Sequence, residues 1–170
     1  MNKAILFDFL VDKENKKVKV KRSFNARLPL VWQAWTDPEI LDQWWAPHPW
    51  KSETLTMDFR EGGKWFYAMR SPDNTETHYC LANFRTIIRE ELFTSDDAFC
   101  NETEQINPNF PAYHWEVQFT AMEEDTAVDV TLSFEQLEHL EQIIQMGFKE
   151  GFTQGLEQLD EWLNHQNNKK

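Results

Sequence analysis

Only one stretch of this chain keeps a helical period for more than two or three turns, and nearly everything before it is cut into short alternating segments. From Gln136 to about Asn164 apolar residues recur at three and four residue steps, namely Leu137, Leu140, Ile144, Phe148, Phe152, Leu159 and Trp162. At about 1.5 Å per residue such a helix is roughly 40 Å long, enough to run the length of a small domain. Gly147, Gly151 and Gly155 fall on the same face. An interior glycine costs about 1 kcal/mol relative to alanine, so three of them imply close backbone packing or space left beside the helix. A kink near Gly147 is a further option.

The alternating segments supply the sheet that such a helix needs. Ile5, Phe7, Phe9 and Val11 alternate, a polar turn spans Asp12 to Lys16, and Val18, Val20, Arg22 and Phe24 follow, which reads as a hairpin. Between Pro29 and Pro47 the period becomes helical: Val31, Trp32, Trp35, then Ile40, Leu41, Trp44, Trp45. Pro29 and Pro38 suit helix starts, and Asp37 is placed to cap the second of two short helices. Alternation then resumes. Glu53, Leu55, Met57 and Phe59 share one face of a strand ending at Arg60, Glu61 to Gly63 turn the chain, and Trp65, Tyr67 and Met69 share a face of the next. Strands follow at Thr77 to Ile88 and Leu92 to Phe99. The final pair carries Tyr113, Trp115, Val117 and Phe119 against Val128, Val130, Leu132 and Phe134, completing an antiparallel meander. No linker or repeat divides the chain, so residues 1–170 read as one domain with its core at about 18–163.

Charge and composition exclude several classes of function. With 17 basic and 29 acidic residues the formal charge is −12, which repels a phosphate backbone and argues against a nucleic-acid partner. Lys13 to Arg22 is a basic cluster, but its alternation with Val18 and Val20 marks the wet face of a strand. No run approaches the roughly 20 apolar residues of a membrane span. Asp8 interrupts the apolar start and no small-residue cleavage site follows, so a secretory signal is not expected. Two cysteines, Cys80 and Cys100, do not make a disulfide framework; the expectation is a cytoplasmic protein with reduced thiols.

Catalytic signatures are scarce. His48, His78, His114, His139 and His165 lack metal-ligand spacing, and no phosphate-cradling loop, nucleophile elbow or Cys-x-x-Cys occurs, so neither metal nor cofactor is expected. His78 and Cys80 share a strand face, which allows a base beside a thiol; two ordinary buried residues fit the pattern better. Glu53, inward by its alternation with Leu55 and Met57, is either a buried acid of raised pKa or a wet strand-end residue. The aromatic content is more informative. Eight tryptophans and 14% aromatic residues exceed what a core of this size needs. Trp45, Trp50, Met57, Trp65, Tyr67, His78, Phe99, Trp115, Phe148, Gly151 and Phe152 are the candidate lining of an apolar cavity between sheet and helix. A solid aromatic core, in which the glycines merely let helix and sheet touch, fits the same residues.

A family resemblance sharpens the fold. Trp35-Thr36-Asp37-Pro38, Trp44-Trp45-Ala46-Pro47, the run from Asp58 through Gly62-Gly63 to Trp65, and Gly147-Phe148-Lys149-Glu150-Gly151-Phe152 with the later Leu156, Leu159 and Leu163 resemble a branch of the START/Bet v 1-like (SRPBCC) superfamily. That branch is the AHSA1-like one, named for the activator of Hsp90 ATPase homologue 1, and the similarity runs from about Val18 to Leu163. Ala46 stands where glycine is more usual, and the strand before Asp12 reads as a subgroup extension. The resemblance implies an α+β helix-grip fold: a curved antiparallel β-sheet wrapped round a long C-terminal α-helix, with two short helices after the N-terminal strands. It also implies a cavity for hydrophobic ligands. Fold membership leaves the ligand open.

Three functions follow from these readings. The first is a non-enzymatic protein binding a small hydrophobic or aromatic molecule. The second is a co-chaperone-like modulator whose acidic surface docks a protein partner such as an Hsp90-type ATPase. The third is a polyketide cyclase or aromatase-like enzyme using His78 or Glu53 as a lone acid or base.

Overall fold

Polar turns and prolines cut the alternating sequence into eight strands, and the computed structural model, which describes residues 6–167, joins them in one antiparallel sheet. β1 (Phe7–Asp12) and β2 (Lys17–Phe24) form the N-terminal hairpin, and β2 pairs with the last strand, β8 (Asp125–Ser133). From β8 the sheet runs back through β7 (Tyr113–Met122), β6 (Leu92–Cys100), β5 (Thr77–Ile88) and β4 (Lys64–Arg70) to an edge at β3 (Lys51–Met57). Ile5 lies outside the described residues. Phe9 and Val11 are half-buried while Leu10, on the opposite face, is exposed, and Phe7, although in phase with Phe9, is exposed at the strand's start.

Helices α1 (Leu28–Thr36) and α2 (Pro38–Trp44) close one end of the sheet. Each has proline in its first turn, and the Asp37 carboxylate accepts from the Glu39 N–H at 2.9 Å, satisfying one of the donors that a helix start leaves free. Trp44, 1% exposed, donates its indole N–H to the Ala34 carbonyl at 3.0 Å, which ties the two helices together.

The C-terminal segment departs from the expected single helix. α3 (Leu137–Gln145) and α4 (Phe148–Asn167) are separated at Met146 and Gly147, where Gly147 has φ +92°. That conformation suits glycine and breaks the helical ladder, so α4 starts afresh in a new direction. The three glycines turn out to have different jobs. A Cβ on Gly155 would lie 3.3 Å from the Trp44 carbonyl oxygen, so α4 packs there directly against the end of α2. A Cβ on Gly151 would make only ordinary contact with Pro47.

The strand before the Gly62-Gly63 turn also differs from expectation. It ends at Met57 rather than Arg60, because a bulge between Thr54 and Thr56 shifts the register of β3 on β4. Glu53 is consequently exposed, with Arg70 donating to its carboxylate at 2.8 Å, and is no buried acid. Beyond the strand Phe59 turns inward and meets Trp32, Phe84 and Phe93 edge-on.

Candidate functional site

One core joins helices and sheet, and at the end away from α1 it hollows into a cavity of about 400 Å3. The sheet supplies Tyr67 and Met69 from β4, His78 and Cys80 from β5, Phe99 from β6, and Tyr113 and Trp115 from β7. Strand register explains the set: Tyr67 lies opposite Cys80, Cys80 opposite Phe99, and Tyr113 opposite Asp97. The opposite wall comes from Trp45, Pro47 and Trp50 after α2, from Ile143, Met146 and Gly147 around the helix break, and from Phe148, Gly151 and Phe152 of α4.

The walls are built of rings packed edge to face. Trp115 meets Phe152 at 5.6 Å and Phe148 at 6.2 Å between centroids, Phe148 stacks on Phe152 at 5.2 Å, and Trp45 meets Trp115 at 5.7 Å. Such contacts fix the rings against one another, so the lining is stiff. At the rim Trp50 stacks on His78 at 5.6 Å, and the His78 Nε2 lies 2.8 Å from a Glu76 carboxylate oxygen.

Nine of the expected lining residues border the cavity: Trp45, Trp50, Tyr67, His78, Phe99, Trp115, Phe148, Gly151 and Phe152. Met57 and Trp65 do not. Met57 is half-buried on the edge strand opposite Trp65. Trp65 lies behind the wall, stacked on Tyr67 at 4.0 Å and 5.3 Å from Trp45, and donates its indole N–H to the Thr54 hydroxyl at 3.0 Å. Thr54 in turn donates to Asp42 at 2.7 Å. Trp65 therefore positions Tyr67 and Trp45 without facing the space itself.

Sequence reasoning missed the polar group that most affects this region. Asp97 follows the phase of Phe93, Ser95 and Phe99 on β6 and faces Tyr67, Cys80 and Tyr113. Burial pushes its carboxyl up to about 7; the Ser95 hydroxyl, donating at 2.5 Å, opposes that shift and the charge on Asp96 adds to it. Burial also raises Tyr67 and Tyr113 well above the ordinary phenol range, with Asp97 contributing to both. Cys80 is pushed up to about 12 by the same cause, which keeps its sulfur a neutral thiol and removes it as a nucleophile beside His78. An acid on the apolar phase of a strand was the available signal; it was obscured because the register of β5 and β6 does not show in their alternation.

A larger depression, about 660 Å3, runs along the solvent side of α4 between His48 and Glu161. Its two glutamines tie α4 to the facing loop: Gln154 donates to the His48 carbonyl at 2.8 Å, and Gln158 donates to the carbonyls of Trp44 and Ala46 at 3.0 and 2.9 Å. It is a seam between α4 and the α2–β3 loop, and the smaller inner cavity has the character of a ligand site. No group of metal-ligating side chains and no helix long and apolar enough to cross a membrane occur among the described residues.

Comparison with known proteins agrees with this architecture. The family model described as Activator of Hsp90 ATPase homolog 1-like protein matches residues 25–164. The chain belongs to that family. The match begins after β1 and β2, so the N-terminal hairpin lies outside it. Among solved structures, a protein from Arthrobacter aurescens is similar at 29% identity and a TM-score of 0.87, over 93% of this chain and 91% of that one. One from Staphylococcus epidermidis is similar at 25% identity and 0.80, over 91% and 93%. One from Mycobacterium smegmatis shares the fold at 24% identity and 0.86, over 94% and 97%. No curated protein matches the sequence. These structures share with this chain the curved antiparallel sheet closed over a long C-terminal helix.

Proposed function

We propose that this AHSA1-like protein binds a small, largely apolar or aromatic molecule in the cavity between the sheet and α4, without transforming it. The observation that carries this reading is the cavity itself, about 400 Å3 of space walled by Trp45, Trp115, Phe148 and Phe152. At about 25 cal/mol per Å2, burying some hundreds of Å2 of apolar ligand surface yields several kcal/mol before association costs, enough for micromolar binding. Stiff rings lower the ordering cost further.

The test is a two-dimensional amide and indole NMR spectrum of labelled protein titrated with fatty acids, sterols, flavonoids and polyketide-like aromatics. Saturable shifts at Trp45, Trp115 and Gly147 to Phe152 are expected from at least one class. An unchanged spectrum with every class would sink the reading.

Asp97 favours a second reading. Its carboxyl, pushed up to about 7 by burial, does not line the cavity itself but lies beside Tyr67 and Tyr113, which do, and would act on a bound substrate through those phenols. That version replaces His78 and Glu53 with Asp97, and it is abandoned if Asp97→Asn leaves every measured turnover unchanged.

A further inference from the structure

What the ligand must carry can be read from the polar hydrogens at the sheet side of the cavity, taking the binding role above as given. The Tyr67 hydroxyl has the Trp45 indole N–H and the Cys80 thiol as polar neighbours, and the Tyr113 hydroxyl has the Trp115 indole N–H. An indole N–H only donates, and a thiol accepts weakly. Neither indole nitrogen, Trp45 Nε1 or Trp115 Nε1, closes a hydrogen bond, although both are buried. Asp97 faces the same cluster, but its Oδ1 already accepts from the Ser95 hydroxyl. The phenol oxygens are the acceptors that face the two indoles, which leaves the phenol protons with only the Cys80 sulfur and the second Asp97 oxygen as acceptors on this surface. Tyr67 is only 6% exposed and Trp115 only 4%, while Tyr113 is half-buried, so water reaches this surface only by way of the cavity.

We propose that the ligand presents an uncharged oxygen acceptor, such as a ketone or ester carbonyl, to the hydroxyls of Tyr67 and Tyr113, while its apolar body lies against Trp45, Trp115, Phe148 and Phe152. The alternatives are disfavoured for physical reasons. A pure hydrocarbon expels cavity water and leaves the phenol protons with no partner beyond the weak Cys80 sulfur and Asp97. A carboxylate satisfies them but brings a charge that no cation answers: the charged or chargeable residues at the rim are Glu76 and His78, already 2.8 Å from each other, and Asp97 sits beside the phenols. A neutral carbonyl meets the donors without either penalty.

The experiment is equilibrium dialysis of the full chain at neutral pH against 2-acetylnaphthalene and its hydrocarbon counterpart 2-isopropylnaphthalene, with 2-naphthoate as competitor. Each variant is compared with the wild type for the same probe, which cancels differences in probe hydrophobicity. Tyr67→Phe and Tyr113→Phe are expected to weaken the ketone about tenfold each, equivalent to about 1.4 kcal/mol. Both should leave the hydrocarbon within about twofold, an apolar ring of similar shape having been kept. Indole N–H resonances of the variants confirm that they fold. Ketone affinity unmoved in both variants, or displacement of the ketone by naphthoate at lower concentration than by unlabelled ketone, overturns the carbonyl assignment and leaves the binding cavity standing. Binding of neither naphthalene probe to the wild type overturns the cavity reading, and the inference with it.

Discussion

The two ends of helix α4 lie against the same sheet, yet one end is filled and the other hollow. Toward its C-terminus Leu156, Leu159 and Leu163 are fully buried in the same core as Val18, Val31, Trp44 and Val128, and Gly155 lets the backbone approach the end of α2. Toward its N-terminus Phe148 and Phe152 pack edge-on against Trp115 in the cavity wall, and Gly151 leaves room that a larger side chain would take. The difference comes from what covers each end. α1 and α2 plug the first, while at the second the chain breaks at Gly147 and α3 covers the sheet through Leu140 and Ile143, with Ile144 half-buried beside them. Stability therefore resides mainly in one half and open space in the other.

The largest expected effect lies in the packed half. Leu159→Ala should lower unfolding free energy by about 3 kcal/mol, measured by chemical denaturation, because its 0% exposed side chain leaves a void that rigid neighbours cannot fill. A loss below about 1 kcal/mol would break the comparison.

Asp97→Asn tests the hollow half. The folded carboxyl titrates at about 7, above its unfolded value of 3.8, so the native state holds a proton that the unfolded chain has lost. Stability from this group is complete below about pH 4 and declines as pH rises towards 7. The variant should be more stable than wild type by on the order of 2 kcal/mol at pH 8, and the gap should narrow on going to pH 5. Parallel pH profiles would show that Asp97 is not held in a low-dielectric site.

Alanine at two glycines of the α3–α4 segment should act in opposite directions. Gly147→Ala forces a Cβ into φ +92° and should cost about 1 kcal/mol in thermal or chemical unfolding. Gly151→Ala lies within α4, meets only Pro47 at 3.7 Å, and should stabilise by about 0.5 kcal/mol through helix propensity while narrowing the cavity. Equal effects at both positions would mean that the helix break is not where the structure puts it.

Much of this was legible from residue spacing. The strands of the meander, the paired short helices with Asp37 between them and the inward phase of β7 and β8 follow from alternation, proline placement and capping, all local properties. Met57 and Trp65 fall outside the cavity for two reasons: a bulge in β3 shifts the register between Thr54 and Thr56, and periodicity reports which face a residue occupies but not what stands behind that face. Asp97 escaped because its significance depends on strands β4, β5 and β7 converging on it, contacts remote in sequence.

By itself the sequence determined the class of fold, the order of its elements and the aromatic supply for a cavity wall, because these depend on interactions between residues a few positions apart. Only the tertiary structure decided which end of α4 is filled, that the C-terminal helix breaks at Gly147, and that a half-buried acid and two phenols meet at one place. Those outcomes depend on how distant surfaces fit when the sheet closes on the helix, and close packing admits one arrangement that no local period encodes.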